Sequence, residues 1–278
     1  MAATLQTVVS FFEEQKAKQA RHFPTVKFDK VLSFMGTTSL PGTHAAVAVL
    51  PIAGLERGSA PSELRIHVRG DLPRAPTKGE LITCHVTKVE QYQGYQVKTK
   101  ALPAAGGEGA LFERKGPEEL VIRGQQIFTV HHSPYTMKFF EQIPFEEVQQ
   151  TIGGVKNAIV AVGEQANISP RFVFHYETRL DRLVLYHGDG LALKTYMNLK
   201  ANRQETRLVL DLDTFEGYAL RGTIEEFAPH QNPEAYDRIC QGFTAGNWGK
   251  PSRVFRFVAD QWTPIAPYRA GSSQRATV

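Results

Sequence analysis

What most constrains this chain is the run of short, closely spaced strand signals that fills it, with too little helix between them to build crossover connections. In residues 63–69, Leu64, Ile66 and Val68 alternate with polar residues, the period of a half-buried strand. Residues 81–89 and 95–102 follow, and residues 90–94 suit the turn of a hairpin. Residues 103–109 are too glycine-rich for regular structure, and residues 120–132 form a further strand. The second half continues with strands at 158–162, 171–176, 182–187, 206–213, 218–227 and 253–260, with Gly188-Asp189-Gly190 read as a turn. Helical spacing is confined to about residues 3–20, where Leu5, Val8, Val9 and Phe12 share a face, and to 145–150, 193–202 and 233–243. Many short antiparallel strands with a few small helices predict a barrel, not a βαβ fold. The fold class is therefore mainly β, α+β, with a split barrel in the C-terminal half and a second β-rich domain before it.

A helical connector at 134–153 sets the expected boundary. The organisation predicted is an N-terminal helix (1–22), a β domain (23–133), a barrel domain (134–268) and a flexible tail (269–278). Residues 80–98 also align without gaps on residues 203–221, with Gly94 and Tyr95 on Gly217 and Tyr218, Val97 on Leu220, and Lys98 on Arg221. Two hairpins can look alike by chance. A true duplication would make the N-terminal domain a degenerate barrel.

Composition removes several functions. A chain of 278 residues can bury one large core or two ordinary ones. The net charge of +4 is scattered rather than run together, which favours an anionic ligand such as a phosphate but not nucleic acid. No stretch approaches the roughly 18–20 apolar residues that cross a bilayer, and the N-terminus lacks the order of a secretory signal. Cys84 and Cys240 lie far apart, so neither a metal nor a disulfide is expected, and the cytoplasm is the natural setting. His131 and His132 are neighbours on a strand and point to opposite faces, which prevents both from ligating one centre.

Three segments carry a resemblance: Asn167-Ile168-Ser169-Pro170-Arg171; Lys194-Thr195 with Asn198-Leu199; and Gly217-Tyr218 with Leu220-Arg221-Gly222. In this order, over about residues 150–262, the chain resembles the FMN-binding split-barrel superfamily, the pyridoxamine 5'-phosphate oxidase-like proteins. The resemblance implies a bacterial-type FMN flavoprotein, an oxidoreductase acting on a small molecule. It also implies a homodimer with the flavin at its interface. Lys194 and Thr195, at the start of a helix, suit the cofactor phosphate, since free N–H groups and the helix dipole favour an anion there. Asn198, three residues beyond Thr195, shares its helical face. A solvated Lys and a Thr cap on a surface helix are the plainer reading. Ser169, Pro170 and Arg171 stand where the family lines its flavin, or else form a loop-to-strand turn. Tyr186 and His187 end the next strand, where His187 is either a donor to flavin or a hydrogen-bonded edge histidine. Trp248 is either a cover over the flavin of a partner subunit or a packing anchor. In the first repeat, Asp71 and Leu72 fall opposite Lys194 and Thr195, and Asp71 would repel a phosphate, so one flavin per chain is expected. A haem-binding or haem-degrading split barrel and a non-catalytic flavin-binding module are the alternatives within the fold.

Overall fold

The computed structural model describes residues 3–23, 30–58, 64–77, 79–89, 93–100, 112–116, 119–124, 126–130, 144–190 and 193–269. In chain order the elements are α1 (Leu5–His22), β1 (Val31–Thr37), β2 (Ala46–Arg57), β3 (Leu64–Arg69), β4 (Leu81–Lys88) and β5 (Gln93–Lys100). Then come β6 (Phe112–Gly116), β7 (Glu119–Gly124), β8 (Gln126–Val130), α2 (Phe145–Ile152), β9 (Asn157–Gly163), β10 (Asn167–Val173) and β11 (His175–Arg179). The last are β12 (Arg182–Asp189), α3 (Leu193–Ala201), β13 (Gln204–Leu210), β14 (Gly217–Glu226), α4 (Pro233–Ala245) and β15 (Arg253–Ile265). The class is the α+β one expected. No helix among the described residues is long and apolar enough to cross a membrane. His131, His132, the loop at 103–109 and the tail after 269 lie outside the described residues.

The strands form two antiparallel sheets. The first runs β10-β1-β13-β14-β15-β12-β11. Phe174 alone separates β10 from β11, and its amide donates to the Tyr186 carbonyl on β12 at 2.9 Å. The two edges of the sheet are therefore halves of one bent strand, and the sheet curls into a split barrel whose edges are not left open. The second sheet runs β6-β7-β3-β2-β9-β4-β5-β8. There β2 plays the part of the bent strand, pairing with β9 through residues 46–51 and with β3 through residues 52–57. β7 lies on β3 and β8 on β5, as the single strand β15 lies on β12 and β14 in the first sheet. The single strand expected at 120–132 is in fact the broken pair β7 and β8.

The hairpins confirm the repeat at the level of pairing. Val86 faces Tyr95 and Thr87 faces Gly94. Val209 faces Tyr218 and Leu210 faces Gly217, the residues on which the sequence alignment places them. Gly94 and Gly217 occupy the same tight spot. A Cβ on Gly94 would run into the Val86 carbonyl and come 2.6 Å from the Thr87 Cα; one on Gly217 would meet the Val209 carbonyl and come 3.0 Å from the Leu210 Cα. Only a residue without a side chain lets those strands approach.

The division into domains differs from the sequential one. One compact unit joins Met1–His44 to Ser169–Ile265, and the other joins Ala45–Ile168 to Ala266–Val278; the expected boundary at 133/134 lies outside the described residues. The pairing shows why. Cys84 faces Val160 of β9, whereas Arg207, its equivalent, faces Met35 of β1. Each half of the chain gives its opening helix and strand to the other half's barrel, an exchange of identical elements within one chain. Accordingly Val8 and Phe12 of α1 pack with Leu183, Leu185, Val209 and Phe257, while Val148 and Ile152 of α2 pack with Ile82, Val97 and Val160. Burial of each such side chain contributes about 1.5–3 kcal/mol. α1 starts at Thr4, whose Oγ1 accepts the Thr7 amide at 3.3 Å.

Candidate functional site

Strand alternation sorts the side chains of the first unit into an inner and an outer set. Val173 on β10, Leu183 and Leu185 on β12, and Val209 on β13 belong to the barrel core. The residues in step with them are Arg171, His187 with Asp189, and Glu205 with Arg207. All five are buried. His187 and Asp189 close β12, Glu205 and Arg207 lie in the first half of β13, and Arg171 reaches Asp189 from β10, so the five gather at one mouth of the barrel. The Arg207 guanidinium binds the Glu205 carboxylate through Nε, and its Nη2 lies 2.9 Å from His187 Nδ1. Arg207 also rests over the Phe257 ring, 4.6 Å from its centre, and His187 stacks on Phe255 at 5.2 Å. Arg171 Nη2 and Arg253 Nη1 reach Asp189 at 3.3 and 3.6 Å.

One expectation is corrected at this mouth. Gly188-Asp189-Gly190 is not a turn, because β12 runs on through Asp189 and pairs it with Arg253. Both faces of β13 are covered, and Arg207 is 0% exposed.

Helix α3 joins β12 to β13 at this end. Asn198 Nδ2 donates to Thr37 Oγ1 at 3.4 Å, and Thr37 pairs with Glu205. Asn202 donates to the carbonyls of Thr38 and Thr43 at 3.2 and 2.7 Å. Thr195 and Asn198 are buried, as their shared face predicts, while Lys194 is exposed. Arg253 lies 3.9 Å from the centre of the Tyr196 ring, so two cations, Lys194 and Arg253, flank the first turn of α3. The equivalent stretch of the first repeat builds no helix among its described residues; Asp71 is exposed and Leu72 leans on the core.

The nine residues singled out in the sequence therefore divide. Arg171, His187 and Asn198 come together at the barrel mouth, with Lys194 at its rim; Ser169 shares a face of β10 with Arg171, and Thr195 is buried in the same helix as Asn198. Tyr186 points the other way: its hydroxyl donates to Glu177 and accepts from Asn232 Nδ2 at 3.0 Å, fastening β12 to the start of α4. Pro170 and Phe172 are on the outer face of β10. Trp248 stacks on Phe172 at 5.6 Å and meets Phe243 edge-on at the same distance, with Lys30 Nζ 5.4 Å from its ring. That is the packing-anchor arrangement. Asp189, Glu205 and Arg207 were missed by sequence reasoning; the one signal available was Val209, an apolar residue in step with two charged ones.

Electrostatics at the mouth follow from burial. Loss of water pushes the Glu205 carboxyl above its ordinary range, although Arg207 and Arg171 oppose this. Burial first, then the charges of Arg207 and Arg171, hold His187 well below its ordinary value, so it stays neutral. In the other unit, burial pushes the Cys84 thiol up to about 12, which leaves it inert.

No protein-family model and no curated protein matches the sequence. Among solved structures the chain is similar to HupZ of Group A Streptococcus, with a TM-score of 0.28, 18% identity, and coverage of 38% of this chain and 82% of that one. A variant of the same protein gives a TM-score of 0.28 over 37% and 80%. It is also similar to a Clostridium acetobutylicum protein related to general stress protein 26 of B. subtilis, described as of the pyridoxinephosphate oxidase family. There the TM-score is 0.27 and the identity 17%, over 36% and 70% of the two chains. What defines the split barrel here is its strand order and bent closing strand.

Proposed function

We propose that the chain is an FMN-binding flavoprotein, an oxidoreductase acting on a small molecule as a homodimer. The observation that carries the reading is the convergence of Arg171 from β10, His187 from β12 and Asn198 from α3 on one barrel mouth. The donor set at its rim fits a phosphate. Lys194 is an exposed ammonium at the first turn of α3, and the partly exposed Arg253 guanidinium stands beside it over Tyr196. In this reading Lys194 and Arg253 hold the phosphate, and Thr195, Asn198 and Asn202 keep α3 seated on β1 so that the two cations stay in place. FMN, when bound, supplies the hydride or electron transfer; the protein binds and orients it.

The test is an absorbance spectrum of the protein after addition of FMN and desalting. Retained bands at about 375 and 450 nm, one flavin per chain, are expected. Lys194→Ala should lose the flavin while its circular dichroism stays that of the parent. A Soret band on adding haem, with no flavin retained, would move the assignment to a haem protein. Retention of neither would overturn the cofactor reading.

A further inference from the structure

The chain contains its own control for what a barrel of this kind needs inside. At the hairpin positions equivalent to Glu205 and Arg207, the other barrel has Ile82 and Cys84, both 0% exposed. Where β12 is lined by Leu183, Leu185 and His187, β3 is lined by Leu64, Ile66 and Val68. Among the described residues, the same architecture therefore closes with apolar side chains at these strand positions. Charges buried at the mouth of the first unit are not a requirement of the fold, and each costs desolvation.

Their unmet bonds have a definite chemistry. Arg171 Nε and Nη2, Arg207 Nη1 and Glu205 Oε2 are buried without a hydrogen-bond partner. Arg171 Nε and Nη2 form the side-on fork of a guanidinium, the edge that grips two oxygens of one group at once. Asp189, 3.3 Å from Nη2, makes an ion pair there without an aligned hydrogen bond. Three guanidinium nitrogens stand against a single carboxyl oxygen, so the set is short of acceptors. The geometry points to an internal site for a small oxyanion, a carboxylate or a phosphate, gripped by the Arg171 fork and Arg207 Nη1, with Glu205 taking up a proton and donating it from Oε2 to the ligand.

Proton uptake keeps the charges balanced. Before binding, the two buried arginines, Arg171 and Arg207, are matched by Asp189 and Glu205, with the partly exposed Arg253 reaching Asp189 from the rim; an incoming anion adds one negative charge and the proton on Glu205 removes one. Oε1 of Glu205 remains the acceptor for Arg207 Nε. The groups facing Glu205 are Arg207 on its own strand, Arg171 from β10, neutral His187 and the paired Asp189 from β12, and the uncharged Thr37 from β1. None of the others is placed to take the proton: Asp189 is held by two arginines, and His187 by Arg207 and burial. Burial already biases Glu205 towards its protonated form. Arg171 belongs to the mouth that the flavin reading also uses, but the grip on the oxyanion involves neither Lys194 nor Arg253.

The experiment uses the full chain free of flavin. Its thermal midpoint is followed during titration with sodium acetate, with inorganic phosphate, and with sodium chloride at equal ionic strength. Saturable stabilisation by acetate identifies an organic-acid carboxylate and supports the site; stabilisation by phosphate alone supports it where it persists in Lys194→Ala, since the Lys194–Arg253 rim also fits a phosphate, and overturns it where it is lost there. Chloride-like behaviour of both overturns it. For the anion that binds, affinity should rise by up to about tenfold per unit fall in pH above the Glu205 pKa; acetate shows this most clearly because its own charge is constant near neutrality. Arg171→Lys keeps the charge but removes the fork and should weaken binding at least about tenfold. Glu205→Gln, a mimic of the protonated acid, should bind without the pH dependence. Unchanged affinity in Arg171→Lys, or a retained pH dependence in Glu205→Gln, refutes the assignment. Lys194→Ala should bind the oxyanion normally, which separates this site from the flavin reading.

Discussion

Removing Arg207 alone should cost far more stability than removing it together with Glu205. In Arg207→Leu the Glu205 carboxylate loses the guanidinium at Oε1, and its other oxygen already lacks a partner. A fully buried carboxylate stripped of its counter-ion costs about 3–5 kcal/mol. For a protein of this size each kcal/mol moves the midpoint by about 2–4 °C, so the single variant should melt roughly 6–20 °C lower. The double variant Glu205→Ile/Arg207→Leu removes both charges, as the other barrel does at Ile82 and Cys84. Exchange of a buried pair for apolar side chains is neutral or stabilising by about 1–4 kcal/mol. Against this stands the hydrogen bond at His187 Nδ1, whose loss costs about 1–3 kcal/mol. The double variant should therefore lie within about 2 kcal/mol of the parent, with a coupling of roughly 2 kcal/mol or more between the two sites. Thermal melts of the parent, both single variants and the double variant at neutral pH provide the cycle. A double variant as unstable as the sum of its singles would refute the reasoning, and with it the view that the ionic cluster is dispensable to the fold.

Further predictions rest on other parts of the molecule. Burial lowers the Lys30 amine to about 5, although its Nζ lies 3.8 Å from the centre of the Phe174 ring, a contact that favours the charged form. The unfolded chain binds the proton up to the ordinary lysine value, so between about 5 and 10 it holds more protons than the native state. Stability from this group should thus rise with pH, by at most about 1.4 kcal/mol per unit. Lys30→Met should flatten that slope in melts at pH values spanning neutrality; an unchanged slope would show that Lys30 stays charged. Gly94→Ala and Gly217→Ala should each destabilise by about 1–3 kcal/mol through the same strand clash. Hydrogen exchange should find the loss in a different unit for each variant, and a neutral result for either would contradict the equivalence of the hairpins.

Much of the fold was legible in the sequence because its signals are local. Alternation marked β3, turn residues marked the β4–β5 hairpin, and 3.6-residue spacing marked α1, α3 and α4. The gapless match of residues 80–98 to 203–221 already contained the pairing later seen in both hairpins. Pairing register depends on neighbouring residues, so a repeat in sequence becomes a repeat in structure. The exchange of β1 and β9 had no such signal. Val31–Thr37 is buried on both faces and shows no alternation, and which barrel receives a strand depends on pairing with residues far along the chain. The candidate site divides along the same line. Thr195 and Asn198 shared a helical face by spacing alone, and Arg171 and His187 stood out as chemistry-bearing residues. That Tyr186 turns away under α4, that Asp189 belongs to a strand, and that Glu205 and Arg207 are sealed inside the barrel were decided only when the bent strand closed the sheet. A charged residue on a strand reads as solvent-facing in sequence. Its burial is a property of the closed barrel, where the inner face is the one water cannot reach.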